Sequence, residues 1–293
     1  MQLVRCDAGF KILACTPSNA AADLLVERLA AAGLTVDQLL RLNARSRDIK
    51  NIPEDVQPFS AFPKPAKARA YRVVLSTCSS AALLQMLKIQ AGHFSHIVID
   101  EAAQVDEPLA LVPITLFSNR DTNIIWAGDP NQLGPVIKSS PASQAGLGKS
   151  YLGRLMSFSK IYTLSTQARN TLVLSFRSLY CGPYLKARRI VDLQRNRRSH
   201  GAIIAWPNRY LYEDIMRADA SPDVSHTFLQ SGVLPKKGFP IVFHGIKGQE
   251  KRTRQSPSYL NIHEASVVRD YCLRLLGDQE HKLREYRVSL VSH

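Results

Sequence analysis

What this sequence lacks narrows it first. Its five cysteines, Cys6, Cys15, Cys78, Cys181 and Cys272, include no Cys-x-x-Cys pair. That argues against a structural zinc site and more strongly against a disulfide framework, so a reducing, intracellular setting is expected. No apolar run approaches the ~20 residues needed to cross a bilayer. Met1 to Phe10 carries neither a signal-peptide core nor a lipidation motif; no membrane partner is expected, and the cytoplasm is the default location. Internal repeats and low-complexity tracts are absent. Nowhere in the chain is there a Gly-x-x-x-x-Gly-Lys-Ser/Thr loop, so these residues hold no ready-made nest of backbone amides and lysine for a phosphate chain.

Negative charge is also scarce. The 293 residues carry 24 Asp and Glu against 38 Lys and Arg, a formal charge of +14. The excess is clustered. Arg188, Arg189, Arg195, Arg197 and Arg198 fall in one short stretch, and Lys247, Lys251, Arg252 and Arg254 in another. Clustered cations point to a polyanionic partner, nucleic acid before a generic solvated surface. The chain is long enough for two domains, and its 45% hydrophobic content is that of a globular protein.

What is present is a strand that ends in two adjacent carboxylates: His96-Ile97-Val98-Ile99-Asp100-Glu101. A second apolar strand, Asn123 to Ala127, runs into Gly128-Asp129-Pro130-Asn131-Gln132. An acidic pair after an apolar run is the Walker-B arrangement, in which one carboxylate helps hold Mg²⁺ and the next polarises the attacking water. Val-Ile-Asp at a strand end is common, and an Asp-Glu pair can simply cap a helix. The two patterns together, in this order, are a much rarer coincidence.

The pattern along the chain alternates strands with helices. A strand over Lys11–Cys15 breaks at Thr16-Pro17-Ser18-Asn19 and opens into a helix over Ala20–Ala32. Residues 41–70, with Pro53, Pro58, Pro63 and Pro65, read as an irregular insertion with at most short helices. A strand over Tyr71–Ser76 ends at Ser76-Thr77, and a helix over Ala81–Gln90 follows. Next come the acidic-pair strand, a helix from Glu107-Pro108, the Gly128-Asp129 strand, and a two-turn helix carrying Tyr151, Leu152, Leu155 and Met156. Beyond them, Ile241-Val242-Phe243 reads as a buried strand, a helix runs from Asn261 to Leu276, and a strand begins at Arg287. Such alternation predicts an α/β fold with a parallel, doubly wound sheet, whose ligands sit at the carboxyl ends of the strands.

In order, Thr16-Pro17-Ser18-Asn19, Ser76-Thr77, Asp100-Glu101-Ala102-Ala103-Gln104, Gly128-Asp129-Pro130-x-Gln132-Leu133, Arg198-Ser199-His200 and Asn261-x-x-Glu264-Ala265 resemble the superfamily 1 RNA helicases. The branch is that of the nonsense-mediated-decay helicase. Leu133-Gly134-Pro135-Val136, Gly146-Leu147-Gly148, Ser150-x-Leu152-x-Arg154-Leu155 and Pro207-Asn208-x-x-Leu211-Tyr212 are similar to the Armitage-type RNA-silencing helicases. The resemblance implies a RecA-like P-loop NTPase sheet over residues 1–165, with the insertion at 41–70, and a partial second RecA-like domain over 166–293. It implies ATP and Mg²⁺ as cofactors, single-stranded RNA as substrate with DNA less favoured, and RNA-silencing or RNA-decay proteins as partners. Asp100 would ligate Mg²⁺ and Glu101 would orient the water. Gln132, with Gly128 and Asp129, would sense the γ-phosphate, and Arg198 would act as an arginine finger. Glu264 would join the nucleotide site. Thr16, Pro17, Ser18, Asn19, Ser76, Thr77 and His200 would hold RNA, chiefly by its backbone.

The chain departs from the family in three places. The phosphate loop precedes Thr16-Asn19 in the family, and here the chain starts too late to contain it. The later motifs of the second domain have no counterpart; Gly248-Gln249-Glu250 lies upstream of the Asn261-Glu264 helix, the wrong order. Residues 167–189 read as an insertion, and Arg197 stands where an aromatic is usual. The polypeptide as written is expected to hydrolyse ATP poorly. Two other readings stay open: a catalytically dead RNA-binding or scaffold protein that kept the fold, and a DNA helicase of the same superfamily.

Overall fold

A computed structural model describes residues 1–60, 64–157, 176–177, 193–252 and 259–277. They divide between two compact units, Met1–Asp192 and Leu193–His293. The expected junction at 165/166, the expected insertion at 167–189 apart from Phe176–Arg177, and the expected final strand lie outside the described residues. So do the side chains of Arg188, Arg189 and Arg254.

The first unit begins with α1 (Gln2–Cys6) and proceeds through β1 (Ile12–Thr16), α2 (Asn19–Ala31), β2 (Leu39–Arg41), α3 (Pro65–Ala70), β3 (Val73–Thr77), α4 (Leu83–Met86), β4 (His96–Ile99), α5 (Glu107–Phe117) and β5 (Asn123–Trp126). A single turn, α6 (Ser140–Ala142), precedes α7 (Tyr151–Ser157), and a two-residue strand, β6 (Phe176–Arg177), completes it. The sheet order is β2-β3-β1-β4-β5-β6. The first five strands are parallel, and β6 is antiparallel to β5. This is the α/β fold that the alternation of elements predicts.

β1 lies at the centre of the sheet, and its five residues are all buried. Alternation along it divides the core. Leu13 and Cys15 pack with Val74, Ile97, Ile99, Ile114 and Phe117 in one cluster, whereas Ile12 and Ala14 pack with Val26, Leu39, Val73 and Leu75 in the other. Both faces are therefore covered, as parallel strands require.

Among the described residues between 41 and 70 there are two short 3-10 turns, Ile49–Asn51 and Gln57–Phe59, and one helix, α3, in keeping with an irregular segment. Its first residue, Arg41, belongs instead to β2, a three-residue edge strand too short to show in the sequence pattern. The helix expected over Ala81–Gln90 is also shorter. A 3-10 turn at Ser80–Ala82 leads into α4, and the chain turns back through Lys88 at φ +55°, with Ile89 N–H donating to Leu84 O at 3.1 Å. Burial of Leu84, Leu87 and Ile89 drives that reversal.

In the second unit, β7 (Arg195–Asn196) and β8 (Arg217–Ala218) pair in parallel and flank α8 (Gly201–Leu211). The one-turn helix α9 (Pro222–Ser225) follows. β9 (Glu250–Arg252) and β10 (Tyr259–Asn261) form an antiparallel pair, and α10 (Ile262–Gly277) closes the described residues. The strand expected at Ile241–Phe243 is absent: these residues are irregular, no described strand pairs with them, and Phe243 is 95% exposed. A three-residue apolar run does not by itself choose between strand and loop. No helix among the described residues is long and apolar enough to cross a membrane.

Candidate functional site

The carboxyl ends of the central strands in the first unit converge, and backbone hydrogen bonds stitch them together. Asp100 N–H donates to Cys15 O at 2.8 Å, Cys78 N–H to Thr16 O at 3.0 Å, and Ala127 N–H to Ile99 O at 2.8 Å. Ala102 N–H returns to Ala127 O at 2.8 Å. Register places Ile99 opposite both Cys15 and Trp126. Asp100 thus follows directly on the last paired residue of β4.

The chain then turns sharply. Glu101 adopts φ +52° and ψ 39°, a left-handed conformation that a non-glycine residue rarely adopts and that costs about 1 kcal/mol or more. Its carboxylate accepts from Gln104 Nε2 at 3.1 Å. Asp100 differs: among the described residues its half-buried carboxylate accepts no hydrogen bond and faces no cation within ion-pair distance. Gly128 closes the arrangement from β5. A Cβ there would lie 2.8 Å from Ala102 N and 2.9 Å from Ala103 N, so only glycine lets the two turns meet. Beyond it, the Asp129 carboxylate accepts from Asn131 N–H at 3.0 Å and from Gln132 Nε2 at 2.9 Å. The exposed Gln132 amide is thereby held by its NH₂ end.

Behind this turn, Trp126 packs on Tyr151 with ring centroids 4.9 Å apart, and the Arg154 guanidinium lies 5.0 Å over the Tyr151 ring. Arg154 also grips Glu107 at 2.7 and 2.6 Å, joining α7 to the start of α5.

The loop after β1 is well defined. Thr16 is buried, and its hydroxyl donates to Ser18 O at 2.7 Å. Ser18 Oγ caps α2 by accepting from Ala21 N–H at 3.2 Å. Pro17 is half-buried, and Ser18 and Asn19 are exposed. Across the sheet, Ser76 is fully buried and lies 3.5 Å from Cys15 Sγ, while Thr77 Oγ1 donates to Ser80 Oγ at 2.9 Å. The Thr16 and Ser76 hydroxyls thus face the interior, and the exposed polar atoms of the loop belong to Ser18 and Asn19. The neighbouring Cys15 sulfur and then burial push the Cys78 thiol well above the usual range, so it stays protonated.

The remaining candidates lie in the second unit. Arg198 is exposed and its guanidinium has no hydrogen-bond or ion-pair partner among the described residues, whereas Arg195 and Arg197 lie 2.8 and 3.5 Å from Asp219. Asn196 Oδ1 accepts from the backbone of Arg198 at 3.0 Å and of Ser199 at 2.9 Å, fixing that turn. His200 Nδ1 caps α8 by accepting from Ala202 N–H at 3.1 Å. The Glu264 carboxylate accepts from Asn261 Nδ2 at 2.7 Å, a capping arrangement at the start of α10.

Sequence reasoning missed one group. Asp23 is buried on α2, where it accepts from Arg41 Nε at 2.8 Å and from Arg47 Nη2 at 2.5 Å. Burial alone would raise the Asp23 carboxyl, but the hydrogen bonds from Arg47 and Arg41 outweigh it and hold the group below its usual range. The available signal was a carboxylate one residue from Ala22 and three from Val26, on the apolar stripe of the helix.

The chain matches two families, each described as AAA domain, over residues 40–140 and 175–293. It is 39% identical over 267 residues to RNA helicase Mov10l1 of Homo sapiens, covering 90% of this chain and 21% of that protein. Against the protein named as helicase MOV-10 in Gallus gallus, identity is 34% over 297 residues, covering 95% of this chain and 29% of that one. Against the probable RNA helicase armi of Drosophila melanogaster it is 28% over 302 residues, covering 92% and 24%. Over about nine-tenths of its length the chain is similar to proteins named as RNA helicases. It spans between 21% and 29% of the length of these three relatives.

Helicase domains of this kind use a nucleotide, and the donor set can be tested against that. No cluster of three or more His, Cys, Asp or Glu side chains suited to a metal occurs among the described residues. The described residues therefore offer no all-protein cage. One open carboxylate, Asp100, with a second beside it, suits Mg²⁺, which keeps several waters and is bound through one or two carboxylates plus substrate phosphates.

Proposed function

We propose that this chain forms the sheet-end half of the nucleotide site, and part of the RNA track, of an ATP-dependent RNA helicase. The carrying observation is the unpartnered Asp100 carboxylate beside left-handed Glu101, both locked to the Gly128 turn of the next strand. In this reading residues 1–165 belong to the first RecA-like domain and 166–293 to part of the second. Asp100 would hold Mg²⁺, and Glu101, held by Gln104, would orient a water molecule. Gln132 donates one Nε2–H to Asp129 and has its second N–H left to donate to a γ-phosphate oxygen. Bound Mg²⁺ would neutralise charge on the transferring phosphoryl group. Arg198, whose guanidinium has no partner among the described residues, is a residue for stabilising transition-state charge, and Glu264 is one for nucleotide binding. Pro17, Ser18, Asn19 and the backbone around Thr16, Ser76, Thr77 and His200 hold single-stranded RNA. RNA-silencing or RNA-decay proteins are the partners and the cytoplasm the location.

The test is binding of matched labelled single-stranded RNA and DNA, titrated against salt, with and without Mg²⁺ and a non-hydrolysable ATP analogue. Nucleotide-dependent RNA affinity that disappears with Asp100→Asn is the expected result. RNA affinity indifferent to nucleotide and to Asp100→Asn would select an RNA-binding protein without turnover, and preference for DNA would select a DNA helicase.

A further inference from the structure

Arg41 is the largest fully buried side chain among the described residues, at 0% exposure. Its guanidinium is engaged on three sides. Nε donates to Asp23 Oδ1 at 2.8 Å, Nη1 to Leu42 O at 2.7 Å, and Nη2 to Asn19 Oδ1 at 2.8 Å. Arg47 closes on Asp23 from the other side, at 3.0 Å to Oδ1 and 2.5 Å to Oδ2. Arg47 also reaches Asn43 Oδ1 at 2.7 Å and Asn51 O at 2.9 Å.

Stability alone does not account for this network. A buried ion pair is often replaceable by well-packed apolar residues at no loss, so its presence suggests that geometry is being set. The geometry it sets belongs to Asn19, the first residue of α2, immediately after the Ser18 cap. Asn19 is exposed, yet its amide oxygen is turned inward and held by Arg41. A primary amide has one acceptor end and one donor end. With the acceptor fixed inside, the NH₂ end is left to the outside, where it donates to nothing among the described residues. Such a donor suits phosphate and sugar oxygens, the groups that position a nucleic-acid strand.

We infer that Arg41 is a positioning residue for RNA: clamped on Asp23, its guanidinium holds the Asn19 amide with the NH₂ end outward as a donor to the backbone oxygens of single-stranded RNA. The inference rests on the reading of Thr16–Asn19 as an RNA-contacting loop. Arg41 itself never touches RNA.

A double-mutant cycle on RNA affinity tests it, with thermal unfolding recorded on each variant. Asn19→Ala is expected to weaken binding about 3- to 10-fold, the worth of one net hydrogen bond. Arg41→Lys keeps the charge but loses the fork, and should weaken binding by a similar factor. The double variant should be no weaker than either single one, because both remove the same contact. Arg47→Lys, which touches Asp23 but not Asn19, should leave affinity within about 2-fold. Additive losses, or full affinity in folded Arg41→Lys alongside a weakened Asn19→Ala, would overturn the role of Arg41. Unchanged binding in both Asn19→Ala and Ser18→Ala would instead sink the loop reading beneath it. Should Arg41→Lys fail to fold, nuclear magnetic resonance of the wild-type chain serves. The Asn19 side-chain NH₂ signals should shift on adding RNA while Arg41 Nε–H stays protected from exchange, and an unshifted Asn19 would refute the inference.

Discussion

Gly128→Ala is the sharpest probe of the joint between the acidic-pair turn and the neighbouring strand. The added methyl would sit 2.8 Å from Ala102 N, 2.9 Å from Ala103 N and 3.2 Å from Leu152 Cδ2, against 3.4 Å or more for an ordinary contact. Two of those three atoms are backbone, and one of them, Ala102 N, is bonded to Ala127 O at 2.8 Å. The turn must therefore retreat by about 0.5 Å against its own hydrogen bond, since close-packed interiors do not absorb an extra methyl freely. Overpacking of this kind costs about 1–3 kcal/mol. For a unit of this size that lowers Tm by roughly 2–12 °C. Gly134→Ala in the same loop is the control. Its methyl would meet only Gly148 O at 3.6 Å, so it should be neutral or slightly stabilising. Urea and thermal unfolding of both variants, followed by circular dichroism, give the answer. If Gly128→Ala matches Gly134→Ala within about 0.5 kcal/mol, the two turns are not locked as described, because surface substitutions that disturb nothing fall in that range.

Three further outcomes are expected. Asp23→Ala strips the buried Arg41 guanidinium of its carboxylate and should cost about 3–5 kcal/mol, read from urea midpoints; a loss below about 1 kcal/mol would show that Asn19 and Leu42 O satisfy Arg41 unaided. Arg154→Ala removes a half-exposed pair with Glu107 and the packing on Tyr151, and a loss of roughly 0.5–1 kcal/mol is expected, diminishing in high salt. Burial, then the Lys11 and Arg69 charges, lower the His93 pKa from 6.5 to about 4. Its Nε2 is buried without a partner among the described residues. Because the folded value lies below the unfolded one, the unfolded chain takes up the proton first, and stability falls as pH drops from 6.5 towards 4. After allowance for solvent screening the loss is on the order of 1–2 kcal/mol. His93→Phe should flatten the stability profile across that interval, and an unaltered slope would remove His93 as its cause.

The elements that were legible in the sequence are those with strong local signals. Apolar runs ending in polar turns marked β1, β3, β4 and β5, and Glu107-Pro108 marked the start of α5. The order of motifs indicated the family, because each motif is a short contiguous string. Where the signal was weak, local reasoning went wrong. Leu39–Arg41 is a strand because β3 pairs with it, and Ile241–Phe243 is not one because no described strand does. α4 ends early because Leu87 and Ile89 turn inward to the core.

At the site the division is the same. The residues Asp100, Glu101, Gly128 and Gln132, and their places at strand ends, follow from the sequence alone, because alternation of strand and helix puts such turns on one edge of a parallel sheet. Tertiary structure alone decided that Glu101 is left-handed, that a Cβ on Gly128 would come within 3 Å of the Ala102 and Ala103 nitrogens, and that Thr16 and Ser76 turn inward while Asn19 stays outside. It alone showed Arg41 meeting Asp23, 18 residues away in the chain, because a buried charge is recognised by its partner and partners are chosen by packing across elements rather than by spacing along them.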